Sequence, residues 1–339
     1  MTAVRLHGVG DLRVEQVPVP AALADDWVRV RVRAAGVCGS DLHNFRTGQW
    51  ISRLPTTPGH EFAGEVTAVG GAVTAWRRGD RVIGDSRMHC GVCAPCRAGR
   101  PNVCERMGYV GEVCDGAFAD FIDLPSNRLL AIPPGVPDAI AALAEPLGVA
   151  LRVVRRLDPT PGTPIIVAGA GPVGGLAAIL LTHLGFGPLA IIDRNGARSA
   201  LIAELTGALP MAATPEAIAR FAATAGSAGR VRFAIEATGS ATVLNLLAQN
   251  LAGGGRVAMV GIFDGQADID ANAIVERELE LRGCSVFCDE QSAVLPLLAG
   301  LGSTLERILS PPVSLRFLPA EYQRLLGGAP AHLKSIVIP

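Results

Sequence analysis

The chain has 339 residues, a formal net charge of −1, only 18% charged residues and a mean hydropathy of +0.36. The length suits two domains, each with its own core. No basic block accompanies the near-zero charge, which excludes nucleic acid and anionic membrane as partners. The longest strongly apolar stretch, Leu176 to Leu184, is interrupted by His183 and falls short of a membrane span. The opening MTAVRLHGVGDLRVEQVPVP has no apolar signal core, so a cytoplasmic protein is expected. A soluble chain so poor in charge is expected to hide surface in a homo-oligomer. One oddity stands out: Lys334 is the lone lysine among thirty basic residues.

The first half reads as strand and turn. Val28, Val30 and Val32 alternate with Arg29, Arg31 and Arg33, a period of two with one buried face. Glu61 to Val69 and Asp80 to Gly84 continue in short strands between Gly70, Gly71 and Gly79, so a compact β-barrel-like domain is expected. Within it, HCGVCAPCRAGRPNVC brings Cys90, Cys93, Cys96 and Cys104 together at ligand spacing. Four thiolates close a tetrahedral shell around zinc and leave no open position, so this metal would be structural. Disulfides are the bland alternative, and a cytoplasmic setting disfavours them.

Around Pro146 the texture changes. Apolar runs of strand length (Pro164 to Ala168, Leu189 to Asp193, Val231 to Ala237, Arg256 to Gly261) alternate with Ala- and Leu-rich stretches of helical length. That alternation predicts a parallel sheet covered by helices. Directly after the first run comes Gly169-Ala170-Gly171-Pro172-Val173-Gly174, with an apolar helix behind it and Asp193 ending the next strand. This is the context that turns a glycine triplet into a dinucleotide fingerprint. Gly169 permits the turn, Gly171 admits the pyrophosphate and Gly174 lets helix and strand pack. Asp193 suits the ribose diol of NAD and repels the 2′-phosphate of NADP, although Arg194 beside it could pair with such a phosphate. The tail, from about Gln291, ends in a strand, Ser335 to Ile338.

Three separated segments hold metal-capable residues: Gly36-Val37-Cys38-Gly39-Ser40-Asp41-Leu42-His43, Gly59-His60-Glu61 and Ala144-Glu145-Pro146-Leu147. One thiolate, one imidazole and one carboxylate make a three-ligand zinc site with an open fourth position. Singly, Cys38 could be a buried small residue, His60 a satisfied core histidine and Glu145 a helix-start charge.

With the four-cysteine lobe, the segment Asp115 to Asp120 and the Gly169 fingerprint, these motifs resemble the zinc-dependent medium-chain alcohol dehydrogenases over nearly the whole chain. The branch it looks like is that of polyol, sorbitol and threonine dehydrogenases. The resemblance implies an α/β protein. A GroES-like β-barrel catalytic domain (1–147 and 289–339, with the zinc lobe at 88–106) would accompany a doubly wound Rossmann NAD domain (148–288). It implies two zinc ions per chain, the catalytic one held by Cys38, His60 and Glu145, the last directly or through water. Glu61 would swing onto the metal during exchange, and Asp41 would fix the His60 ring. Ser40 would bond the substrate oxygen, and His43 would pass its proton outward. Trp50, Tyr109 and Phe118 would line the substrate pocket, and Thr238 and Val260 would join the fingerprint at NAD.

The implied reaction moves a hydride between a small secondary alcohol and NAD, giving the ketone. Residues 283–288 lack the arginine that many polyol dehydrogenases carry there, so a cyclitol, an aminocyclitol, a threonine-type amino alcohol or another secondary alcohol stays open. A non-catalytic NAD-binding sensor or structural protein on the same fold is the other class; it would be expected to lose metal ligands that this chain retains. Lys334 is expected to pair with Glu61 and help anchor NAD. A homodimer or homotetramer is expected through the sheet edge Glu278 to Gly283.

Overall fold

A computed structural model describes residues 1–224, 226, 229–328 and 332–339. The chain divides into two compact units, Met1–Glu145 with Gln291–Pro339, and Pro146–Glu290.

The first unit opens with an antiparallel pair, β1 (Thr2–Gly8) and β2 (Asp11–Gln16). Next comes β3 (Trp27–Gly36), in which the valines at 28, 30 and 32 are buried and Arg31 and Arg33 are exposed. β-Branched residues on one face of a pleated strand are what such a half-buried position favours. β4 (Glu61–Val69), β5 (Arg81–Gly84), β6 (Phe121–Pro125) and β7 (Leu129–Ala131) follow. Their inward faces share a core with Phe62, Phe118, Leu124 and Tyr322.

The second unit holds β8 (Ile165–Ala168), β9 (Leu189–Ile192), β10 (Leu209–Pro210), β11 (Val231–Glu236), β12 (Leu251–Met259) and β13 (Glu280–Gly283). All pair in parallel, in the order β10-β9-β8-β11-β12-β13. Parallel strands buried on both faces read as unbroken apolar runs, and β8 and β9 are buried at every position. β12 starts at Leu251 rather than at Arg256. Gly253, Gly254 and Gly255 carry no side chains, so this half of the strand leaves no pattern to read.

The chain then returns to the first unit with β14 (Val313–Ser314) and β15 (Ile336–Ile338). β15 lies antiparallel to the C-terminal end of β3, and β6 pairs the N-terminal end of the same strand. The sheet runs β14-β15-β3-β4-β5-β7. No helix among the described residues is long and apolar enough to cross a membrane.

Candidate metal centre and dinucleotide site

Two groups of side chains in the first unit could each hold a cation. The four lobe cysteines lie with their Sγ atoms all within 4.8 Å of one another. Cys104 Sγ is 3.5 Å from Cys90 Sγ and 3.7 Å from Cys93 Sγ. Zn–S bonds of about 2.3 Å on a tetrahedron put sulfurs about 3.8 Å apart, so the set fits zinc. Backbone N–H groups of Cys90 and Arg106 also point at Cys104 Sγ, at 3.4 and 3.3 Å. N–H groups of Val92 and Cys93 pull the Cys90 thiol down to about 6, so a thiolate is ready for the metal. Desolvation and the neighbouring thiols push Cys96 up to about 12, the proton that metal binding would release.

The second group is Cys38, His60 and Glu61, also within 4.8 Å. The end of β3 delivers Cys38, which precedes the helix Gly39–Thr47; the start of β4 delivers His60 and Glu61. Gly36 pairs with Glu61 across the ladder, and a Cβ at Gly36 would stand 2.2 Å from Glu61 Oε2. The glycine thus makes room for the carboxylate. Lys334, 1% exposed, arrives just ahead of β15 and donates to Glu61 Oε1 at 2.6 Å and to Val37 O at 3.1 Å. Oε2 lies 2.5 Å from the same ammonium but accepts no directed hydrogen bond. A buried orphan oxygen beside a thiol and an imidazole fits a divalent cation.

The other expected residues gather around this group. Asp41 Oδ2 accepts from Cys38 N at 2.8 Å, and Oδ1 lies 3.5 Å from His60 Nδ1. Ser40 Oγ is 3.5 Å from His60 Nε2. Burial alone would depress the His60 imidazolium, but Asp41, Cys38 and Glu145 together hold it well above the usual range. A pocket that gathers positive charge in this way suits a cation. Glu145, at the start of the helix Ala144–Leu157, falls outside the group of three; its Oε1 accepts from the buried Ser86 hydroxyl at 2.8 Å. His43 Nε2 is 2.7 Å from Gln49 Oε1, and its ring stacks on the exposed Trp50 at 4.5 Å. Phe118 departs from the pocket expectation. It is fully buried in the core against Tyr322, because glycine at position 59 leaves its ring the space. Tyr109 is half-buried.

In the second unit, Gly174 is fixed by close approach: a Cβ there would stand 1.9 Å from Gly169 O. A Cβ on Gly171 would meet nothing within 4 Å, so the backbone there faces open space. The helix Pro172–His183 starts there without any side-chain cap, leaving its N–H groups for an anion. Asp193 accepts from Ala170 N at 2.5 Å and Asn195 N at 2.7 Å, which pins it to the fingerprint turn. Arg194 is exposed. Thr238 and Val260 follow β11 and β12, at the carboxyl ends where a doubly wound sheet binds its ligand.

Sequence reasoning missed Ser86, Gln49 and Arg198. Arg198 is half-buried, its Nε has no partner, and burial lowers its guanidinium against the pull of Asp193. A basic residue in the first turn after the second strand was the available signal. Ser86 had none.

A doubly wound dinucleotide fold on the same chain as a thiolate-imidazole-carboxylate cation site defines a metal-dependent dehydrogenase. The comparisons agree. Residues 24–134 match the alcohol dehydrogenase GroES-like domain, and residues 172–300 match the zinc-binding dehydrogenase family. L-threonine 3-dehydrogenase of Chelativorans sp. is 36% identical over 275 residues, 80% of this chain and 79% of its own. The structure of 2R,3R-butanediol dehydrogenase from Bacillus subtilis superposes with a TM-score of 0.91 at 29% identity, over 100% of this chain and 99% of that one. A protein of Sinorhizobium meliloti described as a zinc-binding dehydrogenase, bound to NADP, gives 0.90 at 30%, with the same coverage. The chain belongs to the zinc-dependent medium-chain alcohol dehydrogenase family, and is an oxidoreductase acting on CH–OH groups.

Proposed function

We propose that the chain oxidises a small secondary alcohol to the ketone with NAD, as a cytoplasmic homo-oligomer carrying two zinc ions per chain. The observation that carries this reading is the group Cys38, His60 and Glu61, the last two buried, with Ser40 beside it. Cys38 and His60 would hold the catalytic zinc together with a carboxylate from Glu61 or Glu145; the four lobe cysteines would hold the structural one. When bound, the catalytic zinc acidifies the hydroxyl of the alcohol by polarising its oxygen. Ser40 would accept the hydroxyl proton as it gives up its own, and His43, steadied by Gln49 and Trp50, would convey that proton outward. The fingerprint turn and the open helix start hold the pyrophosphate, and Asp193 the adenosine ribose.

Oxidation of a panel of polyols, cyclitols and simple secondary alcohols with NAD tests the reading, and turnover of none, with both metals bound, overturns it. L-threonine belongs in the panel as a second reading, because the relative named L-threonine 3-dehydrogenase is 36% identical. The NADP-bound neighbour makes the cofactor worth its own experiment. Asp193→Ser should raise efficiency with NADP relative to NAD, with Arg194 and Arg198 free to meet the phosphate. A wild-type preference for NADP refutes the assignment. Light scattering at the monomer mass of 35.1 kDa would refute the oligomer.

A further inference from the structure

The site holds two carboxylates and, with an open position kept for substrate, needs one. Each is restrained by a different partner. Glu61 is tethered by Lys334 and stands within the ligand group; its Oε2 has no directed hydrogen bond. Glu145 is drawn to Ser86, 1% exposed, whose hydroxyl donates to Oε1 at 2.8 Å. The group whose ligand atoms lie within 4.8 Å of one another is Cys38, His60 and Glu61, without Glu145. Ser86 is itself held on both sides. Asp85, buried, accepts from the backbone and guanidinium of Arg87, and Arg128 lies 3.6 Å from its carboxylate. Val110 N donates to Ser86 O at 2.9 Å. The hydroxyl is therefore fixed in place, and so is the oxygen it binds.

We infer that Ser86 is a positioning residue that retains Glu145 outside the metal's direct ligands, leaving Cys38, His60 and Glu61 as the set. This deepens the functional reading and rests on it. The arrangement keeps one coordination position open. A freed Glu145 would fill that position, binding metal more tightly and shutting out the alcohol. Loss of a hydrogen bond would ordinarily loosen a metal site, so the sign of the effect separates a latch from a mere structural support.

The test is cobalt substitution of the whole protein, read by visible absorption, with the four-thiolate bands common to all variants subtracted. Ser86→Ala should alter the spectrum of the Cys38 site and slow metal loss to a chelator by about 10- to 100-fold. Glu145→Gln added to Ser86→Ala should restore both. With Ser86 in place, Glu145→Gln should leave the spectrum as it was, whereas Glu61→Gln should change it. That last pair decides the matter even if Ser86→Ala does not fold. The inference fails if Ser86→Ala leaves the spectrum unchanged or hastens metal loss. It also fails if Glu145→Gln alone disturbs the spectrum as Glu61→Gln does. Binding of a single metal per chain, at the lobe alone, would instead sink the functional reading.

Discussion

The first unit contains two groups of side chains that could each hold a cation, and they are made in opposite ways. The lobe draws all four thiols from one short stretch of chain, Cys90 to Cys104. The other site draws Cys38 from the end of one strand, His60 and Glu61 from the start of another, Glu145 from a helix, and Lys334 from the tail. A local site needs little from the fold beyond its metal. A distributed site needs the fold to hold unlike charges where none would gather unaided, and it keeps a coordination position free in return.

Removing one ligand from each site draws the contrast most sharply. His60→Ala should lose one metal per chain and lower turnover about a thousand-fold or more, the several kcal/mol a Lewis acid supplies, with circular dichroism unchanged. Cys93→Ala should also lose one metal, but with a lower melting temperature and poor solubility, because structural metal binding is folding free energy. If the two variants exchange these phenotypes, the division between a chemical and a structural metal is wrong.

Lys334→Met comes next. It leaves the Glu61 carboxylate buried without its counter-charge, which should cost about 3–5 kcal/mol in urea unfolding. Adding Glu61→Gln should recover most of that loss. Recovery of none would mean that the pair matters less than the packing of the lysine stem.

Gly36→Ala should follow at about 1–3 kcal/mol, since its methyl group would crowd Glu61 Oε2 and move the carboxylate. Metal content at the Cys38 site should fall while the lobe metal stays. Loss from both sites together would show that the sites are not independent.

The smallest effect concerns the seat of the tail. Burial would raise Glu321, but hydrogen bonds from Arg324 and Ser335 outweigh it and hold the carboxyl below its ordinary value of 4.5. Stability from this group is therefore present above that value and is lost as pH falls through the lowered one. Glu321→Gln should flatten the acid limb of the unfolding curve there and lower stability modestly at neutral pH, the two curves converging in acid. An unaltered limb would show that Ser335, next to Lys334, is seated by the strand alone.

The same contrast explains what could be read from the sequence. The lobe and the Gly169 turn were legible because their residues are neighbours and their spacing is their geometry. The alternating valines of β3 and the apolar runs of β8 and β9 gave the two kinds of sheet for the same local reason. Cys38, His60 and Glu145 could be named from their segments. Which carboxylate stands nearer could not, since that depends on Ser86 and Lys334, 59 and 273 positions from their partners. Phe118 went to the core because the space beside Gly59 is visible only once the strands are placed. The lone lysine was an anomaly of composition; its pairing with Glu61 was expected from the resemblance, and the pairing of β15 with β3 brings the two together.

That pairing has a consequence for the life of the polypeptide. As the ribosome delivers the chain, Cys38, His60 and Glu61 emerge early, and the whole dinucleotide unit follows before β15 appears. Through that interval Glu61 has no counter-ion, and burying it would cost several kcal/mol. Closing so long a loop adds an entropic cost that grows only slowly with length, so the delay is one of synthesis more than of search. The nascent barrel would therefore keep its Cys38 end unsealed until β15 docks. Zinc capture at that end would then wait for β15, whereas four thiols from one short stretch could meet a metal earlier.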